Sequence, residues 1–168
     1  MGTTSEALNG KRMFLVPAVG PATAETVDSV VVKDRRFEFF TDSTKVAIIR
    51  PAYFHRTFSQ DLLVVTEPGE IEVTIDTISS SRGTKLNNLL QQWKTKTEEH
   101  NRIYAALLKR AGMDLKAGDS ASHRHLRQVA DSVHNAYTTM TRAMTDSLDD
   151  GPLKQFLRRL YPVKTTTK

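Results

Sequence analysis

His123 and His125, in the stretch SASHRHLRQVADSVHNAY, are of types that could hold a metal. Imidazoles bind zinc when their side chains converge, and on a helix convergence needs a spacing of three or four residues. A spacing of two places them on opposite faces, so the pair reads as solvated residues near a helix start. Asp131 and His134 stand three apart and can meet, which suits a surface ion pair better than a catalytic dyad. Ser79-Ser80-Ser81 offers hydroxyls but neither the Gly-x-Ser-x-Gly elbow nor a neighbouring base. Glu67, Glu70 and Glu72 gather carboxylates, yet Glu70 and Glu72 fall on the outward positions of a strand and read as a solvated face. Gly118 is isolated and Gly20-Pro21 is a turn, so no glycine-rich loop is present to cradle a phosphate. The expectation is no catalytic, cofactor-binding or metal-ligating residue and no cofactor.

Two surfaces could bind rather than react. Tyr53, Phe54 and Phe58, beside Pro51 and His55, form the densest aromatic cluster. They read either as the rim of a core or as an exposed docking patch, in which case they are the candidate partner contacts. The second surface is basic. Residues 1–83 hold nine Lys or Arg against eleven Asp or Glu, a net of −2, and residues 84–168 hold fifteen against eight, a net of +7. In the basic half only Lys109-Arg110 and Arg158-Arg159 are adjacent, both near helix ends where cations complement the helix dipole. Lys94, Lys96, Arg102, Arg124, Arg127 and Arg142 are dispersed. Nucleic acid is therefore disfavoured as a partner, although a basic helical surface that binds nucleic acid or anionic lipid stands as the alternative function.

The elements that must carry these residues change at one place. In EPGEIEVTIDTISSSRGTKLNNLLQQW, residues 67–93, alternation gives way to a three-and-four spacing after a polar stretch, expected to be flexible, that ends at Gly83. The sign of the charge reverses at the same joint. Before it, period-2 segments at 12–17, 26–33, 36–40, 45–50, 61–66 and 70–76 are rich in β-branched residues and punctuated by Pro, Gly and Asp, which predicts an antiparallel sandwich or barrel. Lys33-Asp34-Arg35-Arg36 is expected to be a tight hairpin turn, with Asp34 accepting unusual backbone angles. After the joint, one apolar stripe runs from Leu86 to Leu108 with a stop at Gly112, and a second from Leu126 to Leu148. A short helix at 153–160 follows, with Pro152 at its first turn. The two long helices should pair as a hairpin, with Trp93 in a core between helix and sheet. The fold class is α+β: an antiparallel β-sandwich domain at 8–83, a helical subdomain at 84–162 with a hairpin and short third helix, and a disordered tail at 163–168.

The chain has 168 residues, 39% hydrophobic and 26% charged, as in a globular protein with a core of its own. It holds no cysteine, which excludes disulfides, thiolate zinc sites and thiol nucleophiles. No apolar run approaches the ~20 residues of a membrane span. MGTTSEALNG has no apolar stretch like that of a signal peptide, and Met1-Gly2 suits a natural start or a start replacing a removed export signal.

Four segments carry a family resemblance over about residues 8–110. Leu8-Asn9-Gly10-Lys11 with Met13-Phe14-Leu15-Val16-Pro17, Val27 to Asp34 with Phe37-Glu38-Phe39, Glu67-Pro68-Gly69-Glu70-Ile71-Glu72-Val73, and Gly83-Thr84-Lys85-Leu86-Asn87 occur in that order. Together they resemble a domain of unknown function from Bacteroides-type bacteria that precedes thioredoxin-like or peroxiredoxin-like domains in cell-envelope lipoproteins. Arg35 departs from the glycine usual there. No thioredoxin-like domain or Cys-x-x-Cys follows in this chain, so no redox role carries over. The resemblance implies an envelope or periplasmic location and a lipid anchor on the unprocessed protein. It points to a non-enzymatic binding or assembly module with protein partners.

Overall fold

The structure is a computed structural model that describes residues 1–51 and 59–162. Eight strands precede three helices: β1 (Gly2–Thr4), β2 (Arg12–Pro17), β3 (Asp28–Val31), β4 (Arg36–Phe37), β5 (Lys45–Pro51), β6 (Leu62–Thr66), β7 (Glu72–Ile75), β8 (Ser80–Arg82), α1 (Lys85–Lys116), α2 (Ser120–Ser147) and α3 (Pro152–Leu160). The strands form two four-stranded sheets, ordered β4-β1-β7-β8 and β3-β2-β5-β6. The fold is α+β, with both sheets ahead of the helices. By internal contacts the chain forms two compact units: Met1–Gln91 with Gly151–Phe156, and Gln92–Asp150 with the chain from Leu157 on.

The first unit follows from strand alternation. Met13, Leu15, Ala47, Ile49, Leu62 and Val64 of one sheet bury in a single cluster with Phe37, Val73 and Ile75 of the other. Each fully buried aliphatic side chain stabilises by about 1.5–3 kcal/mol, so this cluster is what holds the sheets together. Val16, Val46 and Val65 are buried outside that cluster, which explains why β6 reads as an unbroken apolar run. Phe37 is buried and Phe39 half-buried, while Phe40 is 82% exposed, as the alternation of that segment requires. The strand itself is only two residues long.

Three expectations are corrected here. β1 lies ahead of the expected sandwich start at residue 8, and it pairs parallel to β7, so the sheets are not wholly antiparallel. A Gly-Thr-Thr segment has no alternating apolar signal. It becomes a strand because Val73 N donates to Met1 O (3.0 Å), the Met1 ammonium donates to Ile71 O (2.8 Å), and Gly2 lets the Phe37 ring lie where a Cβ would be. The polar stretch expected to be flexible forms β8, with Thr74 opposite Ser80 and Glu72 opposite Arg82. Ser79, just before β8, is buried with its Oγ donating to Gln60 O (2.6 Å), and Ser81 of the strand is buried with its backbone N–H donating to Gln91 Oε1 (3.0 Å).

The third correction is the end of α1. The helix passes through Gly112 and continues to Lys116. Its stop is Gly118, at φ +83°, where Gly118 N donates to Leu115 O and Asp119 N to Asp114 O, the paired bonds of a Schellman cap. Asp114 extends the last turn because its carboxylate meets Arg110 (2.9 Å) and accepts from Ser122 Oγ (2.6 Å). Asp119 then caps α2, accepting from Ser122 N (2.9 Å). Among the described residues, no helix is long and apolar enough to cross a membrane.

Candidate functional site

The joint between β8 and α1 is built from side chains that bond to backbone. Glu67 follows β6, and its Oε1 accepts from Leu86 N (2.9 Å) and Asn87 N (3.2 Å) in the first turn of α1. Those N–H groups have no partner inside the helix, and a carboxylate there also complements the positive end of the helix dipole. Asn87 is fully buried. Its Oδ1 accepts from Val65 N (3.0 Å), and its Nδ2 donates to Val65 O (2.7 Å) and Thr84 Oγ1 (2.9 Å). The amide thus pairs with the edge of β6 as the peptide of a neighbouring strand would. Gly83 sits at φ +109° with its Cα against Glu70 O, and its N–H donates to Asn88 Oδ1 (3.1 Å). Gln91 Oε1 accepts from Ser81 N (3.0 Å). Both amide protons of Asn87 are spent on protein groups, so this set locks a junction.

A second cluster lies in the helical unit. Thr97 Oγ1 donates to Trp93 O (2.8 Å), so it must accept from Tyr137 Oη (2.7 Å), which in turn accepts from Tyr161 Oη (2.9 Å). Burial, and then the bond to Tyr137, push the Tyr161 phenol well above its ordinary value. Trp93 Nε1 donates to Thr141 Oγ1 (3.3 Å), and its ring meets Tyr161 edge-on at 6.4 Å. Both of these partners belong to the helical unit. The His100 ring is stacked on Tyr137 at 4.2 Å and on Tyr104 at 5.5 Å. Its Nδ1 lies 3.1 Å from Asn101 Oδ1, and its buried Nε2 has no hydrogen-bond partner among the described residues. Lys94 Nζ is also buried and unpartnered, and burial lowers its amine to about 8 against the opposing pull of Glu98.

The residues singled out from sequence fall elsewhere. Tyr53, Phe54 and Phe58 lie outside the described residues. His123 is half-buried with Nδ1 against Ala111 O (2.9 Å), and His125 is exposed. His134 lies 5.4 Å from the His100 ring and 5.6 Å from Tyr104, in a tilted ring cluster. Of the three glutamates, Glu72 pairs with Arg82 (2.6 Å), Glu70 is exposed, and Glu67 is the helix cap. Among the described residues no group of three or more His, Asp or Glu is placed to hold a metal ion. Sequence reasoning missed Asn87 and His100. Both had a signal: Asn87 lies in the Gly83-Thr84-Lys85-Leu86-Asn87 segment at the joint, and His100 continues the stripe Trp93, Thr97, Tyr104 at helical spacing.

A family model described as a domain of unknown function, DUF4369, matches residues 1–90. The chain belongs to this family. The DUF4369 match contains the whole sandwich and ends inside the first turns of α1, so it includes Glu67, Gly83, Thr84 and Asn87. No curated protein and no solved structure matches the chain.

Proposed function

We propose that this DUF4369 protein is a non-enzymatic module of the cell envelope that binds or assembles with other proteins, related to the N-terminal domains of thioredoxin-like lipoproteins. The supporting observation is how the polar residues of the E-P-G and G-T-x-L-N segments are used. Glu67, Thr84 and Asn87 are hydrogen-bonded to backbone groups or to one another at the joint. A reacting site leaves a nucleophile, acid or base facing a cleft, whereas these groups face the chain itself. The motifs then serve to fix a helix onto a sandwich, which suits a scaffold.

The test has two parts. Fractionation of cells carrying the full native gene places the product in the envelope fraction, and cross-linking there yields a defined protein adduct. A cytosolic product without such an adduct refutes the reading. So does hydrolytic or metal-dependent turnover by the purified chain that a single substitution abolishes.

A further inference from the structure

Residues 1–83 carry a net charge of −2, yet their basic residues are not evenly spread. Lys11, Arg12, Lys33, Arg35 and Arg36 gather where three segments meet. Lys11 O accepts from Val32 N (2.9 Å), Arg12 is opposite Val31, Lys33 and Arg36 close the hairpin turn with bonds of 2.9 and 2.8 Å, and Arg36 is opposite Thr3. All five side chains are exposed. Arg12 meets Ser29 Oγ (2.9 Å), and Arg35 Nε donates to Thr4 O (3.4 Å). None of the five forms an ion pair among the described residues. Glu6, Asp28, Asp34 and Glu38 are the acids nearest in the chain, so five cations stand against four acids.

A basin of about 250 Å³ opens beside the turn, lined by Thr3, Thr4, Asp34, Arg35 and Arg36. The turn has φ +48° at Asp34 and +61° at Arg35. These are type I′ angles, which suit Asn-Gly, and an arginine in the second position holds its backbone in a disfavoured region. The chain keeps that cost at a residue whose side chain lines the basin. Backbone strain of this kind often accompanies a binding role.

We propose that this basin binds a phosphate group. The guanidinium forks of Arg35 and Arg36 match phosphate oxygens in a bidentate manner, the Thr3 hydroxyl supplies a further donor, and Lys11 and Lys33 raise the local potential. No aromatic ring lines the basin to stack a base, which favours a phosphoryl head over a nucleic-acid strand. The phosphate can belong to a free phosphorylated compound or to a lipid headgroup. The site is independent of the envelope reading above, since it needs only the basin and its cations.

The test compares the full chain with Arg35→Gly and Arg36→Ala. Binding of pyrophosphate at low salt is measured by calorimetry. Sedimentation is measured with phosphatidylcholine vesicles, with and without phosphatidylglycerol. Each substitution is expected to weaken binding about tenfold or more, the loss expected for a charge-assisted contact. Arg35→Gly should at the same time raise Tm by about 2–4 °C, because glycine relieves the turn. Arg36→Ala should leave Tm unchanged, so lost binding there is not lost folding. Pyrophosphate binding weakened in both variants assigns a free phosphorylated ligand. Vesicle binding that needs phosphatidylglycerol and fails in both variants, without pyrophosphate binding, assigns a lipid headgroup. If neither probe binds the wild type, or both variants bind as the wild type does, the proposal is overturned.

Discussion

Replacing Asn87 by alanine tests whether the joint is held as described. Asn87 is fully buried, and its amide makes both off-edge bonds of Val65 together with the bond to Thr84. Val65 is itself fully buried, so water cannot reach its N–H and C=O when the amide is gone. Each buried polar group left unpaired costs about 1–3 kcal/mol. Two such groups, with the small cavity left by the amide, give a loss of about 3–5 kcal/mol for Asn87→Ala. That is a large share of the roughly 5–15 kcal/mol that holds a domain of this size. The neighbouring Asn88 is the control: it is exposed and accepts one bond from Gly83 N, so Asn88→Ala should cost about 0.5–1 kcal/mol. Urea unfolding followed by circular dichroism measures both. Amide hydrogen exchange adds a local readout, since the Val65 N–H should be protected in the wild type and exchange much faster in Asn87→Ala. A loss below about 1 kcal/mol, or one equal to that of Asn88→Ala, with Val65 still protected, would refute the account of the joint.

Four further outcomes follow from the same contacts. Glu67→Gln keeps an acceptor but removes the charge at the start of α1, and should cost about 0.3–1 kcal/mol in urea unfolding, less at high salt. Gly83→Ala combines a positive φ with a Cβ driven into Glu70 O, and should lower stability by about 2–3 kcal/mol in a thermal melt. Lys94 has a folded value of about 8 against 10.5 when free, so the unfolded chain holds more protons between those values and stability should rise with pH from 8 upward. The gain, discounted for the part of the side chain that water reaches, is about 1–2 kcal/mol. The raised Tyr161 phenol opposes it above pH 10, where the unfolded chain has already released that proton. A chain with Lys94→Met should lose the rise between pH 8 and 10 and be more stable at pH 7. Tyr161→Phe removes the terminal donor of the hydroxyl chain and should cost about 1 kcal/mol, measured by chemical denaturation.

The α+β order and most strand positions could be read directly from the chain because they depend on local periodicity. Ile71, Val73 and Ile75 alternate whatever surrounds them, and Leu86, Leu89 and Leu90 keep helical spacing on their own. The turn at Asp34 was legible for a similar reason, since its angles belong to a four-residue segment. The parallel pairing of β1 was not, because Gly-Thr-Thr has no pattern and becomes a strand only when Met1 and Thr4 meet β7. β8 was hidden in the same way, since Ser79 before it bonds Gln60 and the Ser81 backbone N–H bonds Gln91, both distant in the chain. At Gly112 the local rule was outweighed by the contacts of Asp114 with Arg110 and Ser122. The roles of the polar residues were the least legible. Glu67 read as one of three surface carboxylates, and only the arrival of α1 at its oxygen makes it a cap. His100 has its ring environment only because Tyr104 and Tyr137 stack on it. Periodicity is a property of neighbours in sequence, whereas the partner of a hydrogen bond is chosen by distance in space.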